Sequence, residues 1–194
     1  MTSLLLADCR AHLVARTETQ TASLRSIAAK VGFGDICSVL SRKDRVPSGD
    51  RKVGFFLVHR HLQPGLMQSV LRSVRNCADD QVRFSPVVLF TDDGPFEDYL
   101  GYIHMGFDDV ITLPEKQPIL VQRLASQVGK LQIYFETQDY FGPDRRRLEV
   151  PGYTDNRRSA ERHSHARYVF RRVPLTGVAV MRTEIYEPLV RAAS

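Results

Sequence analysis

The stretch VGFFLVHRHLQPG, residues 53–65, determines how the rest of the sequence is interpreted. Val53 to Val58 is a continuous apolar run, typical of a strand that is buried on both faces of a parallel sheet. The run ends just before Arg60, and Pro64-Gly65 marks the turn into the next element. We therefore expect a central strand here, with Arg60 at its carboxyl end.

On either side of this strand, apolar runs alternate with segments of helical periodicity. Further strands are predicted at 12–16, 34–40, 86–90 and 109–113, and helices at 24–31, 66–74, 96–105 and 119–134, with Gly32 as a helix stop. Residues 41–52 contain Pro, Ser and Gly, so any helix there is short or broken. This alternation predicts an α/β fold built on a parallel sheet with right-handed crossovers.

Length and composition fit one ordinary α/β domain with an appendage. The 194 residues are 43% hydrophobic and 25% charged, which allows a sizeable core and excludes disorder along the whole chain. No apolar run reaches the roughly 18 residues of a membrane span, so we expect a cytoplasmic protein. Cys9, Cys37 and Cys77 match no zinc or redox spacing and are expected to be reduced structural thiols.

The basic character of the chain belongs to its C-terminal part. Residues 143–194 hold eleven arginines, no lysine and six acids, a net charge of 11 − 6 = +5, so residues 1–142 sum to zero within the total of +5. Arginine without lysine favours planar, bidentate contacts with phosphates or carboxylates. Because residues 142–174 contain few large apolar side chains, we expect a largely irregular, flexible basic extension over 132–194, with one strand at 176–186.

The order and spacing of the elements over residues 10–131 resemble the receiver domain of two-component response regulators, a CheY-like flavodoxin-type fold. Four motifs carry the resemblance: VGFGDI is similar to the family's LGF-x-x-V, the strand ending at Arg60 with Pro64-Gly65 to D-x-x-x-P-G, PVVLFT to the fourth strand with its terminal Thr, and MGFDDVITLP to G-A-D-D-Y-L-x-K-P. The resemblance implies a doubly wound, five-stranded parallel sheet.

The functional positions of the family are mostly changed in this sequence. Receivers bind Mg²⁺ through an acidic pair after the first strand, accept a phosphoryl group on an Asp after the third, and complete the site with a Thr or Ser and a Lys. The resemblance places Ala15, Arg16, Arg60, Thr91 and Leu113 at these positions in chain order, so only the hydroxyl remains. An alternative register takes residues 3–8 as the first strand, and it leaves Arg60 unchanged.

These changes indicate a degenerate pseudo-receiver without catalytic activity, metal or cofactor. Mg²⁺ requires anionic oxygen ligands, and an acyl phosphate requires a carboxylate, whereas Arg16 and Arg60 make the pocket basic. Two interpretations of the pocket stay open. The arginines and Thr91 bind an anion, or Asp92, Asp93 or Asp108 neutralises the arginines in a structural ion pair.

The extension offers a second group of candidate binding residues. The segment FGPDRRR resembles one that follows stand-alone receivers of alphaproteobacteria, and Arg-rich tails on CheY-like domains resemble cyclic-di-GMP effectors. The candidate anion-binding or partner-binding arginines are Arg145, Arg146, Arg147, Arg157, Arg158 and Arg162. We expect a protein partner with an acidic surface; a cyclic dinucleotide and a nucleic acid are the alternatives.

Two further features concern metal binding and dimerisation. The pair His163 and His165 lacks a third ligand and is not expected to form a metal site. Receivers commonly dimerise through the surface that here carries Tyr99, Tyr102 and Ile103, so a homodimer stays open.

Overall fold

The computed structural model describes residues 2–39, 52–144 and 164–187. A parallel sheet with the strand order β2-β1-β3-β4-β5 forms its centre. Its strands are β1 (Arg10–Val14), β2 (Asp35–Ser38), β3 (Gly54–His59), β4 (Val87–Asp92) and β5 (Asp109–Leu113). This order, with every neighbouring pair parallel, confirms the flavodoxin-like doubly wound sheet that the sequence predicts.

Helices cover both faces of this sheet. They are α1 (Thr2–Ala7), α2 (Glu18–Val31), α3 (Pro64–Arg75), α4 (Asp80–Arg83), α5 (Phe96–Met105) and α6 (Gln117–Ala125). Helix α2 ends as predicted at Gly32, which adopts the left-handed conformation (φ 95°) and whose N–H caps the carbonyls of Ala28 and Ala29. Pro64 begins α3, where its missing N–H costs nothing.

Two apolar clusters hold the helices against the sheet. One contains Leu6 of α1, Leu24 of α2 and Leu124 of α6, and the other contains Met67 of α3 and Ile103 of α5. All six residues of β3 are buried, as expected of a central strand whose two faces both contact helices. Leu6 lies in the same cluster as β1, so the core extends before residue 10, where the predicted receiver domain begins.

A second sheet follows α6. It is antiparallel, with the order β7-β6-β8-β9, and consists of β6 (Leu131–Thr137), β7 (Tyr140–Pro143), β8 (His165–Val173) and β9 (Gly177–Tyr186). Along β8, Tyr168, Phe170 and Arg172 alternate with residues on the opposite face, and Phe170 and Arg172 are fully buried. The sheet therefore has one face that packs on the rest of the protein and one outer face.

Phe84 provides the packing surface for this second sheet. It lies just before β4, at the amino-terminal edge of the parallel sheet, and is buried with Tyr134 and Phe170 in a third cluster. Its ring also makes edge contacts with Phe141 and Tyr168, at centroid distances of 5.2 and 5.5 Å. Four aromatic residues from β6, β7 and β8 thus surround one side chain of the parallel-sheet unit.

The predicted helix over 119–134 is wrong beyond Ala125. Helix α6 ends there, Gly129 adopts the left-handed conformation (φ 74°), and Leu131 begins β6. Apolar residues at 131, 133 and 134 fit a helical spacing, but in the structure Leu131 and Ile133 are exposed on the outer face while Tyr134 is buried. The alternation of a strand therefore replaces the helical period at Gly129.

The prediction of a largely irregular extension is also wrong for residues 132–144 and 164–187, the part of the extension that the structure describes. Residues 165–173 form β8, which lies within the stretch 142–174 that was expected to be flexible, and the strand predicted at 176–186 is β9. The physical reason is that the second sheet does not need a core of its own, because it buries one face on Phe84. The division of the chain at residues 131 and 132 stays a prediction.

The alternative first strand over residues 3–8 is wrong, because Thr2–Ala7 forms α1 and the first strand is β1. The predicted short or broken helix at 41–52 lies, up to residue 51, outside the described residues.

Replacing Phe84 by Ala should lower the free energy of unfolding by about 3–5 kcal/mol, because it leaves a cavity where both units meet. The matched control is Phe96→Ala, where the side chain is 53% exposed and the loss should stay below about 1 kcal/mol. Denaturant unfolding of both variants measures this difference, and equal losses would contradict the role given to Phe84.

Candidate functional site

The five residues that the sequence resemblance assigns to receiver positions lie at the carboxyl-terminal edge of the parallel sheet. Ala15 and Arg16 follow β1, and Arg60 follows β3. Thr91 is the penultimate residue of β4, and Leu113 is the last residue of β5. Carboxyl ends of parallel strands meet at one edge, where ligands of doubly wound folds bind.

Arg60 forms an ion pair with Asp92, the last residue of β4. Its Nη1 donates to the Asp92 carboxylate, and the two side chains are 33% and 57% exposed. Arg60 Nε is shielded from solvent and has no hydrogen-bond partner among the described residues. Of the three acids proposed to neutralise the arginines, Asp92 does so for Arg60.

Two histidines lie beside Arg60 at this edge. The His61 N–H donates to His59 Nδ1 at 3.2 Å, and His61 Nε2 lies 3.9 Å from Asp92. Burial, then His61 and Arg60, lowers the pKa of His59. Asp92 is therefore paired with Arg60 and lies near His61, whereas Mg²⁺ requires anionic oxygen ligands that are free to bind it.

The remaining receiver positions do not converge on a single ligand group. Arg16 is exposed, and its main-chain N–H donates to Gln20 Oε1 at 3.0 Å. Leu113 packs against the apolar cluster that contains β1 and α2. Thr91 is half-buried and pairs with Thr112 of β5. The structure thus brings Arg60 and Asp92 together and leaves Arg16 at the solvent side.

The candidate arginines of the extension, at 145–147, 157, 158 and 162, lie outside the described residues, and so does His163. His165 stacks on Tyr186 with a centroid distance of 4.7 Å. Within residues 2–39, 52–144 and 164–187, no three His, Cys, Asp or Glu side chains are grouped as a metal site would require. In the same ranges, every helix is too short or too polar to cross a membrane.

Asp108 is the most densely bonded acid in the described part of the chain, and it lies at the opposite, amino-terminal edge. Its Oδ2 accepts from Arg75 Nη2 at 2.7 Å and from the Val87 N–H at 2.8 Å, and its Oδ1 accepts from Arg172 Nη2 at 2.7 Å. The Tyr134 hydroxyl donates to the same Oδ1 at 2.6 Å. The expectation that Asp108 neutralises Arg16 or Arg60 is therefore wrong.

Arg172 carries this network into the second sheet. Its Nε donates to the Phe84 carbonyl at 2.7 Å, its Nη1 to the Gln127 carbonyl and side chain, and its Nη2 to Asp108 and the Tyr134 oxygen. All five guanidinium N–H donors are therefore used in a side chain that is 0% exposed.

Arg75 completes the network from the end of α3. Its Nη1 donates to the carbonyls of Arg83 and Ser85 at 3.0 and 2.7 Å. Burial would raise the pKa of Asp108, but Arg172, Arg75 and the Tyr134 hydroxyl outweigh it and hold that pKa well below its usual range. Burial raises the pKa of Tyr134, so its hydroxyl keeps the proton that it donates. Two arginines thus share one carboxylate, and oxygens of the main chain, Gln127 and Tyr134 accept most of the remaining donors. Arg75 Nε is buried without a partner among the described residues.

Sequence reasoning missed Arg75 and Arg172 because both read as charges on exposed faces. A usable signal was present in β8, where Arg172 follows Tyr168 and Phe170 at the spacing of one strand face. An arginine on the same strand face as a buried and a half-buried aromatic residue is expected to be buried, and a buried arginine needs an acid. The adjacent pair Asp108-Asp109 provides it: Asp108 binds Arg172, and Asp109 binds Arg123.

A second buried polar pair lies between β1 and β2. His12 is 3% exposed, stacks on Phe56, and its Nδ1 lies 3.0 Å from Cys37 Sγ. Burial, then Arg10, lowers the pKa of His12 to about 4, and burial raises the pKa of Cys37. The pair is therefore a neutral imidazole and a neutral thiol, which lacks the thiolate that a nucleophile requires.

Solved structures similar to this chain are receiver domains. The signal receiver domain of a histidine kinase from Syntrophus aciditrophicus is 24% identical, with a TM-score of 0.45, over 63% of this chain and 93% of that chain. A response regulator from Desulfuromonas acetoxidans is 19% identical, with a TM-score of 0.43, over 61% and 94%.

A receiver domain of a sensor histidine kinase from Pseudomonas aeruginosa, which coordinates a magnesium ion in its active site cleft, is 21% identical, with a TM-score of 0.44, over 61% and 94%. No protein-family model matches the chain, and no curated protein matches it.

Replacing Asp108 by Asn should lower the free energy of unfolding by about 3–5 kcal/mol at pH 7, because two buried arginines lose their counter-charge. Asp92→Asn is the matched control, and this exposed pair should contribute less than about 1 kcal/mol. Denaturant unfolding of the two variants measures the difference.

The stability difference between the unmodified chain and Asp108→Asn should depend on pH. The pKa of Asp108 is depressed in the folded chain, so its contribution is complete above the ordinary aspartate pKa of about 3.9 and decreases as the pH falls below it. The gap between the unmodified chain and Asp108→Asn should be constant from pH 7 to 5 and narrow below about pH 4. A gap independent of pH would contradict the ionic role of Asp108.

The free energy of unfolding should also decrease by about 3 kcal/mol between pH 6.5 and 4 because of His12, whose pKa is about 4 when folded and about 6.5 when unfolded. Its stability contribution is complete above pH 6.5, because the buried ring stays neutral while the unfolded chain takes up a proton at lower pH. His12→Gln should remove this part of the slope, and His61→Gln, at a side chain that is 58% exposed, should keep it. Unfolding curves at several pH values measure both.

Proposed function

We propose that this chain is a phosphorylation-independent pseudo-receiver that acts as a non-catalytic protein-interaction module in bacterial two-component signalling. The observation that carries the proposal is Arg60, which directly follows β3 and is ion-paired with Asp92. The family resemblance assigns this residue to the phosphoacceptor position. A guanidinium group cannot accept a phosphoryl group as an acyl phosphate. The phosphorylation reaction of receiver domains therefore has no acceptor group at this position.

The ordered second sheet supports an interaction role. Its outer face carries three arginines of β8 and β9, namely Arg167, Arg171 and Arg182. The acid of β9 on the same face is Glu184, which pairs with Arg167. Leu131 and Ile133 of β6 lie on the same outer face, exposed by 54% and 36%. A basic surface with apolar residues suits a partner with an acidic surface, as expected for the Arg-rich extension.

Cyclic-dinucleotide binding and nucleic-acid binding stay predictions, because the arginines assigned to them lie outside the described residues. The structure changes how they are tested. Truncation after residue 142 would remove β8 with Arg172 and so expose the Phe84 cluster. The variant Arg157→Ala/Arg158→Ala/Arg162→Ala is the appropriate partner for calorimetry with cyclic-di-GMP, because it leaves both described sheets intact.

Incubation with a small-molecule phosphodonor and Mg²⁺ should give no phosphoryl adduct of about 80 Da on a carboxylate of the folded chain, measured by intact-protein mass spectrometry. Arg60→Asp is the matched variant. It supplies a carboxylate after β3 but no acidic pair at Ala15 and Arg16 and no Lys at Leu113, so it should also stay unmodified.

A Mg²⁺-dependent adduct on the unmodified chain would overturn the proposal. An adduct on Arg60→Asp alone would contradict the inactivity expected from the changes at Ala15, Arg16 and Leu113, and would assign the loss of phosphorylation to Arg60.

A further inference from the structure

Strand β9 is the edge of the second sheet, and only its beginning is covered by described residues. It pairs with β8 alone, over Gly177–Tyr186. The Gln81 amide of α4 binds the main chain of Val178 on the open side: Val178 N–H donates to Oε1 at 2.6 Å, and Nε2 donates to the Val178 carbonyl at 3.2 Å. One side chain thus replaces a neighbouring strand at this point.

The rest of β9 is an edge with one irregularity and an exposed, regular end. A register shift leaves Met181 as an extra residue between the pairs Phe170↔Val180 and Val169↔Arg182. Beyond it, regular pairing resumes and continues to Tyr186. In this part Met181 is 62%, Ile185 74% and Tyr186 45% exposed. An exposed edge that carries large apolar side chains is a template for another strand.

The segment Met181–Ile185, MRTEI, is complementary to itself when it runs antiparallel to a second copy about Thr183. In that register Arg182 lies opposite Glu184 of the partner subunit, and Met181 lies opposite Ile185 of the partner subunit. Directly opposite side chains lie on the same face, so two opposite-charge pairs and two apolar pairs form together. A shift by one residue would place like charges or a charge and an apolar side chain opposite each other.

The side chains are arranged to permit this pairing. Glu184 is 16% exposed and is held by Arg167 at 2.8 Å, by Tyr186 at 2.8 Å and by Arg182 at 2.7 Å. Arg182 itself is 69% exposed, although its Nη2 contacts Glu184 of the same strand. The carboxylate is therefore fixed by its own sheet, while Arg182 can contact an added strand.

We propose that β9 pairs antiparallel with β9 of a second copy about a two-fold axis at Thr183, which joins the two four-stranded sheets into one of eight strands. This surface is distinct from the α5 surface of Tyr99, Tyr102 and Ile103, where Ile103 is buried in the core. The pseudo-receiver function does not depend on this pairing, and the result of the phosphodonor experiment is the same whether or not the pairing forms.

A cysteine at the axis tests the register. Directly opposite residues of antiparallel strands have Cα atoms about 4.5–5.5 Å apart, within the range of a disulfide. Thr183→Cys should therefore give a covalent dimer under mild oxidation. Ala179→Cys is the matched control, because the two copies of residue 179 would be about 27 Å apart along the strands. The unmodified chain, with free Cys9, Cys37 and Cys77, gives the background.

Sedimentation equilibrium over a concentration series tests the dimer itself. The unmodified chain should form a dimer, and Arg182→Glu should raise its dissociation constant about tenfold or more, because both charge pairs become repulsive. Arg171→Glu makes the same charge change on the neighbouring strand β8 and should leave the constant within about twofold.

Three results would overturn the pairing. They are a monomer at all concentrations, a Thr183→Cys chain that links no faster than Ala179→Cys, and an Arg182→Glu dimer as tight as that of Arg171→Glu. If the chain is monomeric, the partner strand of the β9 edge would have to come from a different protein. Circular dichroism of each variant shows whether a loss of dimer reflects pairing or folding.

Discussion

The structure depends on one carboxylate, Asp108, which is held between Arg75 and Arg172 away from solvent. Removing three ionic groups from water is costly, and the cost is offset only when nearly every donor and acceptor finds a partner. Here the five donors of Arg172 are used, and the neutral Tyr134 hydroxyl bridges the acid and Arg172. The geometry is therefore specific, since a shift of either sheet would leave buried donors without acceptors.

The two edges of the parallel sheet have different roles. At the amino-terminal edge, Phe84 and Asp108 join the second sheet to the first through apolar packing and ionic bonds. At the carboxyl-terminal edge, where related folds bind ligands, Arg60 and Asp92 form a half-exposed ion pair. One edge thus supports structure with buried bonds, and the other carries a pair that contributes little to stability.

Much of the first sheet could be predicted from the sequence, because long buried strands and helix stops have local signals. Helix α5 and strand β5 have the predicted bounds, and Gly32 ends α2 as expected. The Arg60–Asp92 pair was one of the predicted alternatives. The second sheet could not be recognised, because the packing partner of Phe170 and Arg172 is Phe84, 86 and 88 residues earlier in the chain. Composition within a segment does not show such a partner.

The long separation between the members of the network has a consequence for synthesis. Arg75 and Asp108 leave the ribosome together with the parallel strands, whereas Arg172 follows Asp108 by 64 residues. At about 5–20 residues per second, the nascent chain spends about 3–13 s with its buried acid bound by one arginine and with Phe84 uncovered. Contacts this distant are formed late, after their loop-closure entropy has been overcome. The buried acid of the receiver-like unit is therefore fully bonded only after residue 172 has been synthesised.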